Sequence, residues 1–173
     1  TPITNLKPQY TIGSQLIYRY DKEASFDAGN EYLFFDNKDI RSGSSSIRKI
    51  DLTDIYNTYL YTNSARFERP YTYNPDINGN FQITVLDREN PSVEADYTVV
   101  HFSLQHPEIL DKKNIHVYGN FNNYEIDDNT LMTFNERSGF YEKPLLLKQG
   151  FYNYKYVLVD ADSTINEGAI SGN

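Results

Sequence analysis

Oxygen-bearing side chains stand at alternate positions in Asp76-Ile77-Asn78-Gly79-Asn80, a spacing that a calcium-binding loop uses. No glutamate follows where an EF-hand takes its bidentate ligand, and Asn78-Gly79 explains the segment by itself, since both residues tolerate positive φ. The expectation is a hairpin turn rather than a cation site. His101, His106 and His116 show no H-x-x-x-H spacing, and His101 and His116 fall in β-patterned runs, so a paired-histidine metal site is not expected. With no cysteine there is no thiolate nucleophile, thiolate metal site or disulfide framework. The chain also lacks G-x-S-x-G, H-E-x-x-H and a phosphate-cradling glycine loop. Its acidic residues are scattered in loops such as 125–128 and 160–162, where they read as a solvated face. These observations point to a non-catalytic protein without a cofactor.

The aromatic load is the feature that invites a partner: sixteen Tyr and ten Phe, with no Trp, in 173 residues. Aromatic side chains dominate interface cores because they bury much area with few rotors to freeze. Most of them are expected to fill a core. A surface cluster drawn from Tyr71, Tyr73, Phe121 and Tyr124 would be the part to test as a partner surface, and the sequence alone does not place it.

The elements that must position these residues are strands. Residues 140–147 and 151–159 are rich in Tyr, Phe, Val and Leu and are bounded by Gly139 and Gly150. Within 151–156, Tyr152, Tyr154 and Tyr156 point to one face, and Phe151, Asn153 and Lys155 to the other. Residues 3–6, 10–20, 31–36, 47–52, 55–61, 81–86, 96–104 and 116–118 also read as extended, with a turn at 28–30 and polar loops at 38–46 and 105–114. No sustained helical period appears. The polar, proline-bearing stretch 87–93 is the best boundary. The fold class is therefore all-β, with two β-sandwich domains at 1–90 and 95–173, the first of them lacking strands if the chain is cut at its start.

The formal net charge of −8 argues against a nucleic-acid backbone or an anionic membrane surface as partner. No apolar run approaches the ~20 residues of a spanning helix, so membrane insertion is not expected. The chain opens at Thr1-Pro2-Ile3 with neither Met nor a signal-peptide pattern, which reads as a processed or truncated start, and Ala169-Ile170-Ser171-Gly172-Asn173 reads as a cut.

Two resemblances rest on these segments. Val117-Tyr118-Gly119-Asn120-Phe121-Asn122-Asn123-Tyr124, Met132, Gly139-Phe140-Tyr141-Glu142 and Gly150-Phe151-Tyr152-Asn153-Tyr154-Lys155-Tyr156-Val157 resemble the glycogen-binding type of the immunoglobulin-like early-set fold. That resemblance implies an immunoglobulin-like early-set sandwich for 95–173. It places Tyr124 and Tyr141 where that type stacks sugar on tryptophan, and Lys155 at its lysine. A carbohydrate-binding module is the alternative function.

The second resemblance runs nearly the whole chain. It is carried by Leu6-Lys7-Pro8, Leu16-Ile17-Tyr18-Arg19-Tyr20, Gly29-Asn30-Glu31-Tyr32, Phe35-Asp36, Arg41 and Asp76-Ile77-Asn78-Gly79-Asn80-Phe81. It continues through Glu94-Ala95-Asp96-Tyr97, Val100-His101-Phe102, the GNFNNY segment and Leu146-Leu147-Lys148-Gln149-Gly150-Phe151-Tyr152-Asn153-Tyr154. Together these resemble the C-terminal half of the type IX secretion system plug family of Bacteroidota. The resemblance implies a periplasmic interaction module that closes the periplasmic side of the SprA-type outer-membrane translocon barrel. A monomer is expected, and family members carry a signal peptide and an N-terminal domain.

Overall fold

The structure is a computed structural model that describes residues 6–24, 30–67, 69–110 and 113–172. Most of the expected extended segment 3–6, and residues 28 and 29 of the expected turn, lie outside the described residues. In chain order the strands are β1 Tyr10–Ile12, β2 Gln15–Ile17, β3 Leu33–Asp36, β4 Ile47–Leu52, β5 Tyr56–Leu60, β6 Asn63–Ser64 and β7 Phe81–Ile83. They continue with β8 Tyr97–Gln105, β9 Asn114–Tyr118, β10 Thr133–Asn135, β11 Phe140–Lys148, β12 Gly150–Val159 and β13 Ile165–Asn166. Two single-turn helices, α1 Pro91–Glu94 and α2 Gly168–Ser171, and a 3₁₀ turn at Asn120–Asn122 complete the described elements.

The protein is an all-β sandwich. One sheet runs β10-β11-β8-β5-β4, with β6 also beside β8. The facing sheet is built on β12, the longest strand, and each half of β12 recruits different neighbours. Its first half lies between β3, with Tyr152 opposite Phe35, and β7, with Tyr152 opposite Phe81. Its second half pairs with β9 through Val157 and His116, and with β13 through Val159 and Ile165.

The expected partition at 90–95 therefore does not separate two sandwiches. Strands from before it are laid into the sheets formed after it: β5 runs parallel to β8, with Thr58 opposite Val100, and β3 and β7 flank β12. The physical reason is size. Strands of two to six residues cannot enclose a two-layer core of their own, so they bury against the nine- and ten-residue strands β8, β11 and β12. The Gln149-Gly150 corner is tied across the same boundary. The Gln149 side chain donates to the Lys38 carbonyl (2.8 Å) and accepts from the Asp96 N–H (3.0 Å), while Gly150 N–H donates to Asn37 Oδ1 (2.8 Å). The polar stretch expected as a boundary is simply the surface turn α1.

A single hydrophobic cluster fills the space between the sheets, drawing Phe35, Ile47 and Leu60 from one side of that boundary and Phe102, Leu104, Tyr152, Tyr154 and Tyr156 from the other. Phe35 stacks on Tyr152 (centroids 4.9 Å, 9°), and Phe102 meets Tyr154 edge-on (5.0 Å, 78°). The three tyrosines of β12 face inward as their alternation demands, and each hydroxyl finds an acceptor. Tyr152 donates to the Lys148 carbonyl (2.7 Å), and Tyr154 and Tyr156 both donate to Asn63 Oδ1 (2.9 Å each). The N-terminal hairpin β1–β2 stands apart as a two-stranded sheet with Tyr10, Ile12, Leu16 and Tyr18 exposed.

Asn63→Leu removes the acceptor of two phenols and is expected to destabilise the protein by about 2–5 kcal/mol, read as a lowered urea midpoint. Adding Tyr154→Phe and Tyr156→Phe to that variant is expected to restore part of the loss, because no hydroxyl is then left buried without a partner.

Burial also raises the Tyr154 and Tyr156 phenols well above their ordinary value of 10.0. Above pH 10 the unfolded chain releases these protons while the native state keeps them, so native binds more protons and stability falls with pH. The stabilisation is complete below pH 10. Above it, the two phenols together are expected to cost about 3 kcal/mol per pH unit, measurable as a steep alkaline unfolding transition.

Candidate functional site

Along one edge of β12, β9 and β7 lie end to end, and the break between them faces Asn153. Two loops meet there. Asn153 N–H donates to the Asn80 carbonyl (2.9 Å), Asn120 N–H to the Gly79 carbonyl (2.9 Å), and Ile77 N–H to Asn153 Oδ1 (2.6 Å). Asn153 is fully buried although it points away from the tyrosine core, because these loops cover it. The Asn78-Gly79 turn forms as expected, with φ of 56° and 77° and an Asn80 N–H bond to the Ile77 carbonyl (3.2 Å). It does not close a hairpin. Asp76 accepts from Tyr32 N–H and Asn78 N–H (2.7 Å each), which holds the incoming chain in irregular backbone, and β7 pairs with β12 instead.

Beside this junction sits an aromatic clasp around one cation. The Lys155 ammonium lies 4.7 Å from the centre of the Tyr32 ring and 5.9 Å from that of Tyr118, and it pairs with the Glu167 carboxylate. Tyr118 packs on Tyr124 at 5.1 Å, and the Tyr124 hydroxyl donates to the Asn78 carbonyl (3.3 Å). Asn123 and Tyr124 both adopt left-handed backbone, φ 55° and 58°, which turns the Tyr124 ring back over the clasp. Burial, then the neighbouring Tyr124 and Glu167, hold the Tyr32 phenol well above its ordinary range, and burial raises Tyr118 too. Its cation is paired with Glu167, and the Tyr32 and Tyr118 hydroxyls keep their protons to higher pH than an ordinary phenol. What it does is fasten turn 76–80, loop 119–124 and the C-terminal segment to β12.

The residues singled out from sequence separate into three groups. Tyr124 and Lys155 belong to the clasp, where the Lys155 side chain is only 13% exposed. Phe121 is half-buried, with its ring edge-on to Tyr152 at 6.1 Å. Tyr141 is interior: it is 6% exposed, its hydroxyl accepts the Leu110 N–H (2.8 Å), and its ring abuts Phe134 (5.2 Å). The alternation of β11 turns it inward, so it offers no face for a sugar ring. Tyr71 and Tyr73 are at the surface, 51% and 73% exposed, and the Tyr71 hydroxyl donates to the Glu31 carboxylate, which raises that phenol.

The histidines are dispersed. His101 stacks on Tyr59 (4.1 Å), His116 bonds Thr130 Oγ1 (3.0 Å), and His106 bonds the Glu108 carbonyl (2.9 Å). Among the described residues no group of three or more His, Cys, Asp or Glu gathers as a metal site would require. Sequence reasoning missed Tyr32, Tyr118 and Glu167. The only available signal was that Tyr118, like Lys155, lies in a β-patterned run; that the two stand opposite each other follows from the ladder.

No protein-family model matches the chain, and no curated protein matches it. A solved crystal structure of a hypothetical protein from Parabacteroides merdae ATCC 43184 is similar to it, with a TM-score of 0.88 and 34% identity over 99% of this chain. The match takes in 43% of that chain, so this protein spans less than half the length of its solved neighbour.

Gly79 is the point where the clasp depends on backbone. Its φ is 77°, and a Cβ there would come within 2.7 Å of the Tyr124 hydroxyl and of Tyr32 Cζ. Gly79→Ala is expected to cost about 1–3 kcal/mol of stability. It is also expected to increase hydrogen exchange in 76–80 and 119–124 before the rest of the sandwich.

Proposed function

We propose that this chain is a non-catalytic, periplasmic interaction module of a type IX secretion plug, which closes the periplasmic side of an SprA-type outer-membrane translocon barrel while no substrate passes. The observation that supports this reading best is the convergence of the segments that carry the resemblance. Asp76–Phe81, Gly119–Tyr124 and Gly150–Tyr154 are far apart in the chain, yet they meet around Asn153 in one fastened unit. The exposed Tyr71 lies beside that unit, its hydroxyl bonded to Glu31, the residue before the clasp's Tyr32, and the exposed Tyr73 follows two positions on. A plug acts by filling an opening and letting go, which asks for a rigid body carrying a few exposed anchors rather than a reactive cleft. Two tyrosines beside a clasped loop pair suit such anchoring, because each buries a large ring with little side-chain entropy to lose. A glycan platform finds less support, since Tyr141 is interior and the Tyr124 ring is covered on one side by Tyr118.

The test is a pull-down with the tagged full-length protein from detergent-solubilised outer membranes of its host, with retained proteins identified by mass. The expected result is one very large β-barrel, with retention reduced by about tenfold or more in Tyr71→Ser/Tyr73→Ser while the circular dichroism spectrum is unchanged. Retention of no barrel by the unsubstituted protein overturns the reading.

A further inference from the structure

The outward face of the β4-β5-β8-β11 sheet carries a groove of about 370 Å³, lined by Arg48, Tyr59, His101, Ser103, Phe140 and Glu142 among others. Its floor follows from the registers. Tyr59, His101 and Pro144 stand opposite one another across three strands, and Ser103 stands opposite Glu142 in the next row. Tyr59 and His101 stack at 4.1 Å, and His101 Nε2 bonds Asn57 Oδ1 (2.9 Å), so this floor is fixed.

The charged groups on the groove are unequally committed. Glu142 is held by Ser138 Oγ and Asn135 Nδ2, both at 2.8 Å. Lys143, which also lines the groove, donates to the Asp128 carbonyl (2.8 Å), and Lys49, beside the groove over the Tyr59 ring, is paired with Asp51 at 2.9 Å. Arg48 has no hydrogen-bond or ion-pair partner among the described residues. It is the extra residue of a β-bulge between Ile47 and Lys49, and both Arg48 and Lys49 are exposed where strict alternation would have turned one of them inward. Bulges are devices that re-aim a side chain, and this one leaves Arg48 exposed on the lining of the groove. Phe140, in turn, lines the groove with no ring partner among the described aromatic pairs.

We infer that this groove is a docking site for a short extended segment of a partner protein carrying an aromatic side chain next to an acidic one. The aromatic ring packs on Phe140 and the carboxylate takes the guanidinium of Arg48, which is built for two-point recognition of that group. The volume lies at the low end of small-ligand sites, roughly 300–1,000 Å³, so the occupant is a side chain or two rather than a domain. A second copy is the poorer occupant. A two-fold pairing through this face would set Arg48 and Lys49 against their own kind.

The experiment titrates the full chain with acetyl-Gly-Phe-Asp-Gly-amide and with its Lys counterpart, followed by NMR. Saturable shifts at His101 and Phe140 are expected with the Asp peptide, with affinity about three- to fivefold weaker for the Lys peptide. Arg48→Glu, an exposed change whose spectrum reports an intact fold, is expected to abolish or reverse that preference. Absence of saturable shifts, equal affinity for both peptides, an Arg48→Glu variant with unchanged preference, or shifts at these residues that depend on protein concentration alone would each overturn the assignment.

Discussion

Three phenols on one strand must be buried without leaving a hydroxyl unpaired, and much of the architecture follows from how that is met. Tyr152, Tyr154 and Tyr156 occupy the inner face of β12, and the last two converge on one amide oxygen, Asn63 Oδ1. An oxygen with two lone pairs can accept both, but only if Asn63 lies beside the sheet opposite. Residues 56–64 therefore follow β8 in parallel, first as β5 and then as β6, with Thr62 and Ser103 hydroxyls bridging the gap at 3.1 Å. That single requirement ties the first part of the chain to the sheets of the second, and it explains why one core forms where two were expected. Phenylalanine at 154 and 156 would bury as much ring and ask nothing of residue 63. The hydroxyls convert a permissive core into one that specifies its partner strand.

The other face of β12 is constrained as tightly, in a different chemistry. Asn153 and Lys155 point away from the core, yet neither is solvated: loop backbone closes over the amide, and two aromatic rings and a carboxylate surround the ammonium. A cation in that position retains favourable electrostatics from the ring faces and Glu167 while its alkyl stem stays dry. The strand is thus covered on both sides, once by a sandwich core and once by clasped loops. This makes the 76–80 and 119–124 loops a rigid surface rather than a fringe. The exposed Tyr71 and Tyr73 are presented next to that surface, so an aromatic contact there would meet a preformed neighbour.

What was legible from sequence was local. The alternation of Tyr152, Tyr154 and Tyr156, the strands at β8, β11 and β12, and the Asn78-Gly79 turn each follow from a few adjacent residues and their backbone preferences. What was not legible is who pairs with whom. Asn63 sits in a polar segment that reads as a loop, and nothing in its neighbours marks it as the acceptor for residues more than ninety positions away. Tyr141 illustrates a second limit. In Phe140-Tyr141-Glu142-Lys143-Pro144-Leu145-Leu146-Leu147 the three leucines break the alternation, so the inward parity of Tyr141 becomes clear only once Leu104 is seen opposite it. The clasp fails for the same reason: Tyr32 is 123 positions from Lys155, and Glu167 lies beyond the end of its strand.

The two surfaces singled out here lie on opposite sides of the sandwich, and their separation has a physical consequence. The clasp and the neighbouring tyrosines belong to the outward side of the β12 sheet, and the Arg48 groove to the outward side of the sheet that faces it. Packed sheets stand about 10 Å apart, and the rings between them interlock, Phe102 edge-on to Phe35 and Tyr154 and Phe35 stacked on Tyr152. A partner seated on one side therefore does not collide with one seated on the other. Any influence between them would have to pass through this packed core, and close-packed interiors shift between discrete packings rather than deform smoothly. The sandwich is accordingly better suited to hold two partners at a fixed spacing than to let one partner regulate the other.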